Sequence, residues 1–273
     1  MEALSNNLLV IVTFAYLIIS VLYLGSWVIK RAPVLGQAAT WLNWTALATH
    51  TAAIIIRWVA SHQMGIGHAP FSNLFESLVF FGWTTALIYL IIELRTGLKV
   101  IGVFAMPLAF FAMLYALWLD PAIKPLLPAL KSNWLIAHVI TCFLGYSGFA
   151  VSAALSVMYL VTGRAREPQE RRSLVLDDLI YQTVVVGFVL LTAGIVTGSI
   201  WANVAWGTYW SWDPKETWSL ITWLVYAALL HSRFMRGWSG ARVALFSLLG
   251  FVCVLFTYFG VNLLLSGLHS YGR

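Results

Sequence analysis

The chain has 273 residues, of which 61 % are hydrophobic and only 10 % charged, and its mean hydropathy is +0.85. Soluble domains run at roughly 45–50 % apolar and 25 % charged, so a water-soluble globule is excluded and an integral membrane protein is implied. The net charge of +6, from 16 Lys and Arg against 10 Asp and Glu, is distributed with the loops in a way that nucleic-acid binding does not require.

A bilayer core takes about 20 apolar residues per helical span. Eight segments qualify, near 8–29, 38–60, 72–92, 100–118, 133–162, 179–200, 214–235 and 242–266. The implied fold class is all-α: a single polytopic membrane domain over 1–273, a bundle of about eight transmembrane helices with no repeat, low-complexity tract or linker. The first span has no basic segment before it and no small-residue cleavage site after it, so it reads as a retained helix.

Lys and Arg collect in cytoplasmic loops. Loops 30–37, 93–99, 163–178 and 233–242 hold most of them, whereas the opposite side carries only Lys124, Lys131, Lys215 and Arg273. Both termini are therefore expected to be extracytoplasmic, and the net charge is mostly this bias. The longest cytoplasmic connection, 163–178, reads as a charged, solvated loop that begins to favour helix at its end. Three outer segments exceed minimal turns: 61–71, 119–132 and 201–213. Pro121, Pro125 and Pro128 break the second, because proline lacks the backbone donor and clashes inside a helix.

In chain order, His50 and Arg57 come first; they are costly within a span and are expected to face the bundle interior. His62 and His68 follow on the outer side. Ser72 or Asn73 can cap the third span, with Glu76 completing a capping box, and that role alone suffices for them. His138 lies shortly inside the outer end of the fifth span, as either a ligand or a satisfied core residue. Cys142 and Cys253 both fall within spans with no CxxC or CxxCH spacing, so they read as small buried hydrophobes.

The densest feature is WANVAWGTYWSWDPKETWSLITW, Trp201 to Trp223, which holds six of the 14 tryptophans. Asp213 at an N-cap, Pro214 after it and Glu216 at the third helical position make a capping-box start for the seventh span, and capping alone can account for both acids. It leaves the indoles unexplained. Interfacial anchoring distributes tryptophans among spans, whereas Trp201, Trp206, Trp210 and Trp212 together offer a flat apolar surface edged with N–H donors. That surface suits a large planar aromatic ligand with polar substituents.

His138 and His269, the latter just past the eighth span, are expected at the depth of this segment. Two neutral imidazoles across a planar macrocycle are one way of holding haem iron. His231 is elsewhere: a straight helix from Pro214 carries it roughly 25 Å away. It cannot share a ligand with the outer pair, and is either part of a second site or an interfacial histidine beside Arg233.

WGTYWSWDPKETW resembles the WWD motif of haem-handling membrane proteins. GHAPFSNLFES, NWLIAHV and GLHSYG resemble further segments of one branch, the CcsA family (ResC, or CcsB in some bacteria) of System II cytochrome c biogenesis. The resemblance runs from about residue 57 to the C-terminus; CcmC and CcmF of System I share the tryptophan motif, while the Asp-Pro-Lys-Glu-Thr-Trp continuation and the terminal Gly-Leu-His-Ser-Tyr-Gly look like System II. It implies that haem b, held non-covalently in transit, crosses to the outer face for attachment to the CxxCH of apocytochrome c. The implied outer iron ligands are His138 and His269, and the platform is Trp206 to Glu216, with Trp206, Trp210, Trp212, Asp213 and Glu216 as contacts. His231 would be the inner iron ligand, its counterpart supplied by a ResB-type membrane protein. His68, Asn73 and Glu76 lie in a motif of the same branch. The implied location is a bacterial cytoplasmic or a thylakoid membrane, with the outer site facing periplasm or lumen. Two rival readings are a haem exporter serving a separate ligase, and a b-type electron-transfer cytochrome, which places paired histidines deep in facing spans.

Overall fold

Eight helices follow the eight apolar segments in a computed structural model that describes residues 1–29, 32–162, 169–265 and 267–268, with the backbone alone over 169–172. They form two compact units, Met1–Lys131 and Ser132–Arg273. In the first unit α1 (Glu2–Val28), α2 (Pro33–Gln63), α3 (Leu74–Thr96) and α4 (Gly102–Ala116) pack with α1 against α2 and α4, and α3 against α4. In the second, α5 (Asn133–Thr162) lies along α6 (Gln169–Trp206) and α8 (Ala241–Leu264), while α7 (Pro214–Arg236) packs on α6 and α8.

Six of these helices, all but α2 and α7, are long and apolar enough by themselves to cross a membrane. The other two carry charged and polar residues that lower their hydropathy, buried along α2 and held at the ends of α7. On α2, His50 and Arg57 are fully enclosed: Tyr16 meets His50 Nδ1 at 3.1 Å, and Arg57 Nε donates to Glu76 at 3.0 Å. The buried position expected for both is what the structure has. On α7 the charged residues sit at the ends, Lys215 and Glu216 in the first turn and Arg233 and Arg236 in the last.

Helix ends depart from the sequence reading on α6. The charged connection was expected to run to residue 178, but helix begins at Gln169. The acid there has partners: Asp177 accepts from Arg233 at 2.7 Å and from the Gly240 N–H at 2.7 Å. At the other end α6 continues to Trp206, so the outer segment expected from 201 starts only at Gly207. Nothing before that residue interrupts the helix, and Gly207 takes the left-handed conformation (φ +80°) that ends it. Trp201 and Trp206 are consequently helical residues. The proline-rich segment before α5 is non-helical as expected, apart from one 3-10 turn at Pro128–Leu130.

Close approach of α5 and α6 is set by glycine. Gly194 and Gly198 stand one helical turn apart on α6, the small-residue spacing that lets helices in lipid approach backbone to backbone. A methyl group on Gly194 would lie 2.5 Å from Cys142 Sγ, and one on Gly198 would lie 2.5 Å from His138 Nδ1. The close approach of the two helices therefore extends to where the fifth span carries its histidine.

Candidate functional site

His138 is fixed by that packing. Its Nδ1 lies 2.7 Å from the Gly194 carbonyl oxygen; a carbonyl only accepts, so Nδ1 carries the proton and Nε2 keeps the lone pair. The imidazole stacks on Trp201 at 5.9 Å and 18° between planes, and Trp201, 2 % exposed, is itself met edge-on by Trp206 at 4.8 Å. A ring held on one edge by a backbone carbonyl and on one face by an indole has a set orientation. Metal-bound histidines commonly have this outer-shell arrangement, which fixes the tautomer and raises the basicity of the other nitrogen.

Beside His138 opens a cavity with about 510 Å³ of empty volume, its open side included, lined by His138, Cys142, Tyr146, Tyr209, Trp210, Lys215 and Glu216 among others. Helices α5, α6 and α7 and the segment after Gly207 all contribute to it. Its walls are aromatic and aliphatic with a few polar atoms, as ligand pockets generally are.

The start of α7 is a complete capping box. Asp213 accepts from the Lys215 N–H at 3.0 Å, and Glu216 accepts from the N–H groups of Asp213 (3.1 Å) and Ser211 (2.8 Å). The capping role read in the sequence for both acids is present. Asp213 does more: its second oxygen accepts the Leu268 N–H at 2.6 Å and so ties the chain after α8 to the beginning of α7. His269 itself lies outside the described residues.

The indoles divide into two groups. Trp201 and Trp206 support His138 from α6, while Trp210 lines the cavity and meets Trp212 edge-on at 5.7 Å. Trp212 is 68 % exposed and is the only non-glycine among the described residues with positive φ (59°). A bulky residue held in the left-handed region is costly and marks a conformation enforced by its surroundings.

The remaining candidates are not among the residues that line this cavity. His231 is exposed on α7 near the helix end opposite to Lys215. His68, in the other unit, faces backbone carbonyls with both nitrogens, those of Ala69 (2.9 Å) and Lys124 (3.0 Å). Asn73 caps α3 by accepting from the Glu76 N–H, and Glu76 accepts from Ser72 and pairs with Arg57. Sequence reasoning read Cys142 as a small buried hydrophobe, which the structure bears out, without seeing that the thiol lines the cavity with Sγ 3.6 Å from His138 Nδ1. It also passed over Lys215 as part of the cap. The Gly194 to Gly198 spacing was the one signal that could have placed His138 and Cys142 against α6.

Among known proteins, a family model described as "Cytochrome C assembly protein" matches residues 71–269. The "Cytochrome c biogenesis protein CcsA" of Guillardia theta is 41 % identical, over 98 % of this chain and 95 % of that protein. The protein of the same name from Gloeobacter violaceus is 36 % identical, over 94 % and 93 %. Among solved structures, "Cytochrome c Heme Lyase CcmF" superposes with a TM-score of 0.74 at 21 % identity, covering 94 % of this chain. The chain spans 46 % of that protein, so the likeness concerns the fold.

Proposed function

Since the chain belongs to the cytochrome c assembly protein family, alongside the CcsA proteins of cytochrome c biogenesis, we propose that its part in cytochrome c maturation is to hold haem at the outer face of the membrane. There the haem awaits thioether attachment to the CxxCH segment of apocytochrome c. The observation that carries this reading is His138, whose Nδ1 is committed to the Gly194 carbonyl while Nε2 remains the basic nitrogen of a ring at the cavity wall. A neutral imidazole whose N–H is held by a carbonyl is a good ligand for iron through its other nitrogen. Trp210 supplies an apolar wall for the macrocycle, and Trp201 and Trp206 keep the histidine in place.

His269 is the second axial ligand in this account. The bond from Leu268 to Asp213 supports it, because the residue preceding His269 is thereby held at the start of α7. His231, exposed on α7, is proposed as the inner haem ligand, completed by a histidine of a ResB-type membrane protein; its exposure leaves it open to such a partner. The bias of Lys and Arg toward one set of loops supports an outer site that faces the periplasm of a bacterial cytoplasmic membrane or the lumen of a thylakoid.

Each attachment adds a cysteine S–H across a haem vinyl group. A carbon–sulfur bond forms, the proton goes to the vinyl's terminal carbon, and no oxidant is consumed. The chain's contribution is position: holding ring and peptide together converts a bimolecular addition into a local one, which is worth up to roughly 7–11 kcal/mol of barrier. Co-expression with a ResB-type protein and a CxxCH substrate tests the proposal. Covalent haem that forms with the native chain and is lost in His138→Ala and His269→Ala supports it; covalent haem that forms without this chain overturns it.

A further inference from the structure

Lys215 lines the cavity with a side chain that the helix cap does not use. Its backbone N–H serves the capping box, whereas its side chain turns toward α8, where Nζ donates to Asn262 Oδ1 at 3.1 Å. The amide of Asn262 is oriented for this, since its Nδ2 donates to the Tyr258 carbonyl at 2.7 Å. That carbonyl lies in the π-helical turn at Phe256–Gly260, a distortion frequent at functional sites.

No carboxylate lies within ion-pairing distance of the ammonium among the described residues, whose ion pairs are Arg57–Glu76, Lys99–Glu93, Lys124–Asp120 and Arg233–Asp177, although the Asp213 carboxylate is near enough to act on it electrostatically. The two acids on its own helical turn are engaged with backbone: Asp213 with the N–H groups of Lys215 and Leu268, Glu216 with those of Ser211 and Asp213. A half-buried ammonium that meets a neutral amide oxygen, with no carboxylate at ion-pairing distance, can accept an anion. It lines the same cavity as His138.

We propose that Lys215 is the anion anchor of this cavity and takes a carboxylate of the bound ligand, which for haem is a ring propionate. The proposal rests on the haem reading of the same site and adds a direction to it. Iron ligation by His138 leaves the macrocycle free to turn about the iron–nitrogen axis. A carboxylate held at Lys215 stops that rotation and turns the vinyl-bearing half of the ring away from the lysine. The two groups together define which edge meets the incoming thiols.

The test uses the full chain in its membrane complex, loaded with either iron protoporphyrin IX or its dimethyl ester. Lys215→Gln is expected to weaken binding of the diacid about tenfold, the scale of one lost charge-assisted hydrogen bond, and to leave ester binding unchanged. Lys215→Arg is expected to retain the diacid preference, which controls for folding. Equal weakening of diacid and ester by Lys215→Gln, or no weakening of either, overturns the proposal. If instead the native chain takes up neither porphyrin, the haem reading fails and this inference fails with it. A His138-dependent haem spectrum with equal diacid and ester affinities removes only the role of Lys215.

Discussion

The Asp213 carboxylate receives the Leu268 N–H at 2.6 Å while its other oxygen caps α7 at Lys215. One side chain thus starts a helix and pins the chain beyond α8, and the geometry at Gly267 is close enough that a methyl group there would collide with Asp213.

Replacing Asp213 separates its two tasks. Asp213→Ala removes the cap, worth about 0.5–2 kcal/mol, together with the C-terminal tie. Asp213→Asn keeps a good cap with a weaker acceptor for Leu268. The expected order of both melting temperature and resistance of a C-terminal epitope to proteolysis is native, then Asn, then Ala. An epitope released no faster from the Ala variant than from the native chain contradicts the tie.

Gly198 is predicted to be intolerant of even one methyl group. Its added carbon would lie 2.5 Å from His138 Nδ1, so Gly198→Ala must push the imidazole off the Gly194 carbonyl or part α5 from α6. Overpacking of this kind costs about 1–3 kcal/mol. Haem content per protein, measured by pyridine haemochrome, should fall well below native at unchanged membrane expression. Full haem content in Gly198→Ala contradicts the packing account.

Trp212 should behave in the opposite sense. Glycine adopts its positive φ without strain, and the exposed indole contributes little packing, so Trp212→Gly is expected to keep or raise the melting temperature, by an amount worth up to about 1 kcal/mol. Covalent haem yield should drop if the indole contacts ligand or substrate. A large loss of thermal stability contradicts this reading.

The buried Arg57–Glu76 pair predicts a stability effect without a haem effect. Glu76→Ala leaves a guanidinium unpaired in the interior, at about 3–5 kcal/mol, whereas removing both charges with Arg57→Met and Glu76→Leu is far milder. Thermal melting of the single and double variants checks the non-additivity. A haem spectrum altered in the double variant would return Glu76 to the haem site.

Much of the fold was legible because hydropathy marks spans: all eight segments became helices. Boundaries were less so. Trp201 and Trp206 read as loop because aromatic crowding looks interfacial, but helix continues until a residue breaks it, and here that is Gly207. Within the site, His138 and the tryptophans stood out by residue type. Lys215 and Cys142 did not, because their significance comes from which helices meet, a pairing set by Gly194 and Gly198 on α6. Arg57 and Glu76, likewise, are joined by the packing of α2 on α3 rather than by any local pattern.

The central claim is that His138 Nε2 binds haem iron. Absorption and magnetic circular dichroism of the purified complex test it most directly, with native chain, His138→Gly, and His138→Gly plus imidazole. The account predicts a low-spin, bis-histidine spectrum for the native chain, a high-spin or haem-poor spectrum for His138→Gly, and recovery of the low-spin form when imidazole is added. An unchanged low-spin spectrum in His138→Gly would contradict it.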